Sequence, residues 1–274
     1  MRHSILLTSL LLTLFSLAAT ATEAFDHQHS QWNALLERHV TWIESGHTSQ
    51  VDYRSLKKER TLLTSYLTAL SAVDQQTYDA WNREQQLAFL INTYNAYTVE
   101  LILSRYPDLD SIKDLGSLFS SPWKKAFFSL LGEKRSLDDI EHRLIRAPGV
   151  FNEPRIHMAV VCASIGCPAL PNEAFKPQQL NDQLEKGITR FLSDRSRNRY
   201  NPKKDRIEVS KIFDWYEEDF SRGHRGFKSL KGFFAHYAAL LTDDPVAQKR
   251  IAAGGVAITH LDYDWRLNDK QPSE

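Results

Sequence analysis

The sequence predicts an α+β fold, a mostly helical single domain around a small β-sheet. Three observations lead there. Apolar residues recur at helical spacing through most of the chain, and only a few short β-branched runs stand between turn residues. Strands and helices do not alternate regularly, and no glycine-rich phosphate loop opens a helix, so a βαβ architecture is not expected. With 274 residues, 42% of them hydrophobic and 11% aromatic, the chain can fill one sizeable core.

The elements follow in order. Trp32, Leu35, Leu36, His39, Trp42 and Ile43 keep helical spacing and give a first helix over 25–43, ended by Gly46. Residues 51–53 are a short extended piece. A second helix spans 56–70, with Leu62, Leu63, Tyr66, Leu67 and Leu70 on one face, and the longest runs 82–106, where Pro107 stops it. After the Ser121-Pro122 turn, Trp123, Phe127, Leu130 and Leu131 suggest a short helix over 123–131. Ser136, with Asp139 three residues on, caps a fifth helix over 137–146. The β-branched run 156–161 reads as a buried strand, 180–192 as a helix, and 200–210 as a hairpin turning at 203–205. Helices over 212–220 and 230–241 and a last strand over 257–261 complete the chain.

Residues 1–21 carry the marks of a secretory signal. Arg2 and His3 precede an apolar run over 5–17, and Ala19-Thr20-Ala21 supplies the small-x-small cleavage pattern. The run is short for a membrane span, and no cysteine follows it to anchor a lipid. An uncleaved anchor helix is the competing reading. The expected mature protein is one globular domain over 22–274, periplasmic or secreted, with no stable membrane span. Cleavage removes Arg2, so the 34 basic residues become 33 against 34 acidic ones. No basic run appears, so nucleic acid is not an expected partner. No cofactor is expected, and the oligomeric state is not readable.

The stretch 155–168, RIHMAVVCASIGCP, holds both cysteines of the chain. On a straight strand Cys162 points with Ile156, Met158 and Val160, while His157 points the other way with Ala159 and Val161. That geometry keeps His157 from Cys162 unless the strand bends, and it passes the histidine role to another element. Cys162 closes the strand and opens the small-residue loop Ala163-Ser164-Ile165-Gly166, whose backbone N–H groups suit an anion or a carbonyl oxygen. A thiol at such a turn is well placed to be a nucleophile. Two cysteines in an oxidising compartment also suit a Cys162–Cys167 disulfide. A zinc site at His157, Cys162 and Cys167 departs from usual ligand spacings, so no metal is expected. A thiol–disulfide redox protein would more commonly show Cys-x-x-Cys.

Two helices offer further groups. Asn95 lies beside the apolar stripe of the 82–106 helix, and Asn92 lies one turn earlier. Buried amides need hydrogen-bond partners, so the pair either serves a site or brackets a neighbouring loop. In the 137–146 helix, Glu141 falls within the face of Leu137, Ile140 and Leu144 and needs a partner there. His142, one step round, is a candidate general base, or a surface histidine beside an ion-paired glutamate.

The motifs INTYNAYTVELIL (91–103), SLDDIEHRLIR (136–146), RIHMAVVCASIGCPAL (155–170), KIFDWYEEDF (211–220) and LDYDWRLN (261–268), with VDYRSL (51–56), occur in this order. Over about 30–268 the chain resembles the bacterial, exported branch of the family known as domain of unknown function 547. In plant members of similar pattern the position of Cys167 tends to be serine and that of His157 is not histidine, whereas Asn95, Glu141, His142 and Cys162 keep their identity. The resemblance therefore implies a site centred on Cys162 and His142, with any Cys162–Cys167 bridge outside the family's shared purpose. It also implies a distant likeness to papain-type and transglutaminase-type hydrolases, whose chain order, Cys before His, is reversed here.

The function expected from these readings is thiol-dependent acyl chemistry, hydrolysis or transfer. Cys162 would be the nucleophile, His142 the base, Glu141 or Asn95 its orienting group, and backbone amides near Ser164 the oxyanion site. His157 is a second candidate base. The alternative is a non-enzymatic envelope module that binds a peptide or small molecule, with a Cys162–Cys167 disulfide and a groove lined by Trp123, Phe127 and Trp215.

Overall fold

The computed structural model describes residues 24–117 and 120–271. The signal-peptide expectation lies outside them. The chain begins with α1 (Ser30–His39), the antiparallel pair β1 (Val40–Ile43) and β2 (Thr48–Val51), and three helices, α2 (Tyr53–Lys58), α3 (Arg60–Ser71) and α4 (Gln75–Asp79). The expected 25–43 helix is thus shorter, because β-branched Val40, Thr41 and Ile43 leave it to pair with β2.

The long helix α5 (Arg83–Leu103) starts at a capping box, in which Asn82 Oδ1 accepts from Gln85 N–H and Gln85 Oε1 accepts from Asn82 N–H. It is buried on nearly all sides, since Ala88, Phe89, Asn92, Ala96 and Val99 are as covered as the predicted stripe. It packs against α3 and against a π-helical turn, Asp139–Ile145.

Residues 123–131 do not form the expected helix. They enter β3 (Phe128–Leu130), which pairs antiparallel with β4 (Glu133–Arg135). The cause is the two-residue turn. Leu131 and Gly132 both have positive φ, 53° and 77°, the combination that closes a tight hairpin. Phe128 then stacks on Tyr97 of α5 with ring centroids 3.8 Å apart.

The second half comprises α6 (Leu180–Ser193), the hairpin β5 (Arg199–Asn201) and β6 (Arg206–Val209), then α7 (Ile212–Trp215), α8 (Leu230–His236), α9 (Ala238–Leu241), α10 (Pro245–Ala252) and β7 (Ala257–His260). Strand β7 lies parallel to β6, giving the order β5-β6-β7. The expected helices over 212–220 and 230–241 are each interrupted, the first by a 3-10 turn over Glu217–Phe220. The whole is α+β, mostly helical with small sheets.

Two apolar clusters hold it together. One gathers around α5 and reaches from Trp32 to Leu184, and the other centres on Phe213, Phe220, Phe233 and Phe234. Each fully buried Phe or Leu contributes about 1.5–3 kcal/mol. The expected strand over 156–161 joins the clusters, with Ile156 in the first and Met158 in the second. It is not a strand. Pro154 starts a 3-10 turn, Pro154–Met158, and the N–H groups of Ala159 and Val160 return to Ile156 O, both at 2.9 Å. Beyond the turn the edge-on partner is a side chain. Asn95 Nδ2 donates to Ala159 O at 2.9 Å and Asn95 Oδ1 accepts from Val161 N–H at 3.0 Å. One amide replaces a neighbouring strand.

Candidate functional site

Past Asn95 the chain turns sharply at Ala163, whose φ of 60° costs a non-glycine residue about 1–2 kcal/mol. Such strain persists only where surrounding contacts enforce it. Here the far side of the loop is held by the C-terminal segment. Ile165 N–H donates to Arg266 O and Gly166 N–H to Asp264 O, both at 2.8 Å, while Asn268 N–H donates to Ala163 O at 3.0 Å. Gly166 is required by this docking, because a Cβ there would sit 3.0 Å from Asp264 N and O. Arg197, ion-paired to Asp194 at 2.7 Å, grips the carbonyl oxygen of Cys167.

This frame brings the half-buried thiol of Cys162 within hydrogen-bond reach of three side chains. Its sulfur is 3.0 Å from Cys167 Sγ, 3.1 Å from Ser164 Oγ and 3.2 Å from Tyr263 Oη. The hydrogen bond from Cys167 lowers the Cys162 pKa most. Burial opposes it, and Ser164 and Tyr263 add to it, so the thiol falls from 9.0 to about 7. Burial and the adjacent Cys162 hold the Cys167 thiol well above the usual range. The two cysteines are free thiols, so the disulfide expected as an alternative is not formed in this structure.

Cys162 opens into a cleft of about 310 Å³ at the seam of the two clusters. Glu141, His142, His157 and Cys167 line it, so His157 and Cys162 face one space after all. The strand alternation that separated them does not exist in a 3-10 turn. An aromatic wall flanks the thiol. Trp265 stacks on Trp215 at 5.6 Å and meets Tyr263 at 4.5 Å and Trp123 at 5.9 Å. Trp215 is 44% exposed. Phe127 is not among the lining residues and packs edge-on against Tyr97.

The histidines differ in their setting. His157 is buried, its Nε2 2.7 Å from Asp219 Oδ2, its ring stacked on Tyr216 at 4.0 Å. Burial lowers its pKa against the pull of Asp219, which favours the neutral ring. With an ionised carboxylate at Nε2, that nitrogen carries the proton and Nδ1 has the free lone pair. Burial would raise the Asp219 carboxyl, but His157 and Arg146 outweigh it and hold it far below the ordinary range; Arg146 Nε lies 2.6 Å away. His142 is half-exposed and has its Nδ1 against the Arg146 guanidinium and its Nε2 3.5 Å from Asp138. Arginine only donates, so His142 Nδ1 must accept. Neither histidine contacts the Cys162 sulfur, whose partners are Cys167, Ser164 and Tyr263.

Glu141 is buried and accepts from Tyr94 Oη at 3.2 Å. The π-helical step places it there, with Arg146 N–H reaching back five residues to Glu141 O. Asn95 and Asn92 both spend their amides on backbone, Asn95 on the Cys162 loop and Asn92 on Phe175 N–H and O at 3.0 and 2.7 Å. Among the described residues no group of three or more His, Cys, Asp or Glu is placed to hold a metal ion. No helix among them is long and apolar enough to cross a membrane.

Tyr263, Asp219, Arg146 and Tyr216 were not singled out from sequence. Tyr263 and Asp219 do fall inside the quoted motifs LDYDWRLN and KIFDWYEEDF, where a polar residue amid aromatics was the available signal.

The fold and site thus define an α+β protein with a low-pKa thiol in an aromatic cleft. Residues 78–192 match the model of a family described as "Protein of unknown function, DUF547". The matched stretch runs from α4 into α6 and includes Asn95, Glu141, His142, His157, Cys162 and Cys167, but neither Asp219 nor Tyr263. No curated protein and no solved structure matches the chain.

Proposed function

We propose that the protein is a thiol-dependent hydrolase or acyltransferase with Cys162 as nucleophile. The observation that carries this reading is the Cys162 thiol, held by Cys167, Ser164 and Tyr263 and open to a cleft large enough for a substrate. Lowered toward about 7, the thiol supplies a substantial thiolate fraction near neutral pH and needs no base for the first step. The thiolate adds to a thioester carbonyl and expels a thiolate, or to an amide carbonyl whose amine leaves with a proton taken from water, leaving an acyl thioester on Cys162. Water or an acceptor then attacks that thioester, gives up its proton to a base and regenerates the thiolate.

His157 is the better-equipped base for the second step, because Asp219 fixes its tautomer and leaves Nδ1 unprotonated. In this reading His142, at the more exposed side of the cleft with Asp138, contacts substrate. Ser164 and Tyr263 hydroxyls, released as the thiolate is consumed, are the donors nearest the forming oxyanion. The same proposal puts the protein in the cell envelope, on the signal-like residues 1–21.

Phenyl thioacetate tests it. The expected result is an acetyl group on Cys162, detected by intact mass, turnover that Cys162→Ser abolishes, and an acetyl-enzyme that persists in His157→Gln. Acetylation of Cys162 no faster than that of an unstructured cysteine peptide would overturn the reading. The aromatic wall favours one other use of the cleft, a pure binding module for an apolar or ring-bearing ligand. In that case Cys162→Ser would leave ligand binding intact.

A further inference from the structure

Cys167 makes and breaks no bond in the proposed acyl transfer, yet it is the closest side chain to Cys162 Sγ. Its sulfur lies 3.0 Å from Cys162 Sγ and also accepts the Cys162 backbone N–H at 2.9 Å. The two are the only cysteines of the chain. Cys162 is half-buried at the cleft, whereas Cys167 is 5% exposed and has its backbone oxygen clamped by Arg197. A disulfide needs the sulfurs at about 2.05 Å, so closing the pair takes a shift of about one ångström.

We infer that Cys162 and Cys167 form a peroxide-reactive pair, in which Cys162 is the site oxidised by a hydroperoxide and Cys167 is the thiol that resolves it into a reversible disulfide. In the first step the Cys162 thiolate attacks the outer oxygen of the hydroperoxide. The S–O bond forms, the O–O bond breaks, and the alkoxide or hydroxide leaves with a proton from water. Sulfur is oxidised by two electrons to the sulfenic acid and the peroxide is reduced. In the second step Cys167 sulfur attacks Cys162 sulfur, the S–S bond forms, and the hydroxyl leaves with the Cys167 proton as water. A dithiol reductant returns both thiols and is itself oxidised to a disulfide.

The division of labour follows from the setting. The contacts with Cys167, Ser164 and Tyr263 favour the reactive thiolate form of Cys162, and burial keeps Cys167 protonated until a sulfenic acid stands beside it. With a resolving thiol in contact, the sulfenic acid is diverted from irreversible over-oxidation. The disulfide also removes the nucleophile, so oxidation switches acyl chemistry off and reduction restores it. The inference shares only the reactive Cys162 with the proposed acyl function and does not need that function to hold.

The experiment uses the full chain, reduced, near neutral pH, with stoichiometric hydrogen peroxide, a maleimide quench and tryptic digestion. Both cysteines fall in one peptide, 156–186, since Lys176 is followed by Pro177. The expected wild-type peptide is lighter by two hydrogens, carries no maleimide, and takes up two maleimides after dithiothreitol. Cys167→Ser should stop one oxygen heavier and be trapped by dimedone. Cys162→Ser should lose its remaining thiol about tenfold or more slowly than the wild type. Two wild-type results would overturn the inference: Cys162 carried to the sulfinic acid with Cys167 still labelled, or both thiols intact. Because the wild type alone decides, a variant that fails to fold does not blunt the test. The thioester assay reads the acyl function separately.

Discussion

Cys162 and Tyr263 are 101 residues apart in the chain and 3.2 Å apart at their side-chain tips. The contact exists because residues 264–268 run antiparallel along the Cys162 loop and carry Tyr263 onto the sulfur. The setting of the Cys162 thiol is thus completed by a segment distant in sequence. Tyr263 also lies 3.1 Å from Ser164 Oγ, so the hydroxyls and the thiol make one small network.

Removing that phenol should weaken the thiolate. A hydrogen bond to a charged group is worth about 1.5–3 kcal/mol, so Tyr263→Phe should raise the Cys162 pKa and cut its alkylation rate by iodoacetamide at neutral pH about tenfold. In the wild type the rate should rise through a midpoint near the Cys162 value of about 7, with Cys167 silent through that range. An unchanged midpoint in Tyr263→Phe would separate the phenol from the thiolate.

The two buried asparagines predict a contrast. Asn95→Ala strips the partners from Ala159 O and Val161 N–H, and Asn92→Ala those from Phe175 O and N–H. Each should cost about 1–3 kcal/mol in urea denaturation. Only Asn95→Ala loosens the segment leading into Cys162, so only it should also slow Cys162 alkylation in the folded protein. Equal reactivity in both variants would reduce Asn95 to a structural bracket with no bearing on the thiol.

Much of this site was readable before the fold was known, but for uneven reasons. The helical periods of α3, α5 and α6 and the β5-β6 hairpin are local signals, and they appear where periodicity puts them. The buried state of Asn92, Asn95 and Glu141 followed from polar residues lying on or beside apolar faces. What failed depended on partners. An apolar β-branched run becomes a strand only if another strand lies beside it, and at 159–161 an Asn side chain took that place. Likewise 123–131 was decided by two positive-φ residues at 131–132, a feature that side-chain spacing does not carry. Tyr263 and Asp219 reach the cleft through docking of distant segments, and no spacing rule expresses that.

Gly166→Ala tests the docking itself. The new Cβ would meet Asp264 backbone atoms at 3.0 Å and the Tyr263 ring at 3.1 Å, and backbone cannot swing aside as a flexible side chain can. Overpacking of this kind costs about 1–3 kcal/mol. Because the displaced segment carries Tyr263, the variant should reproduce the reactivity loss of Tyr263→Phe in addition to its lower stability. Loss of stability with normal Cys162 reactivity would show that Tyr263 reaches the sulfur independently of this contact.

Acid should destabilise the protein well above the carboxylate range, and two histidines set the sign. Burial lowers His29 from 6.5 to about 3, and it lowers His157 against the opposing pull of Asp219. His29 is therefore neutral in the fold at pH 5, whereas in the unfolded chain it takes up a proton below about pH 6.5. The unfolded state binds more protons, so stability is full above 6.5 and falls as pH drops. For His29 the loss between pH 6.5 and pH 5 should be about 2 kcal/mol, before carboxylates begin to titrate. Urea unfolding at pH 7 and pH 5 measures the drop. His29→Gln should flatten it by about that amount, since the non-titrating amide removes the proton that only the unfolded chain can bind. A wild-type midpoint unchanged across this interval would mean that His29 is protonated in the fold, and would contradict its burial beside Tyr66.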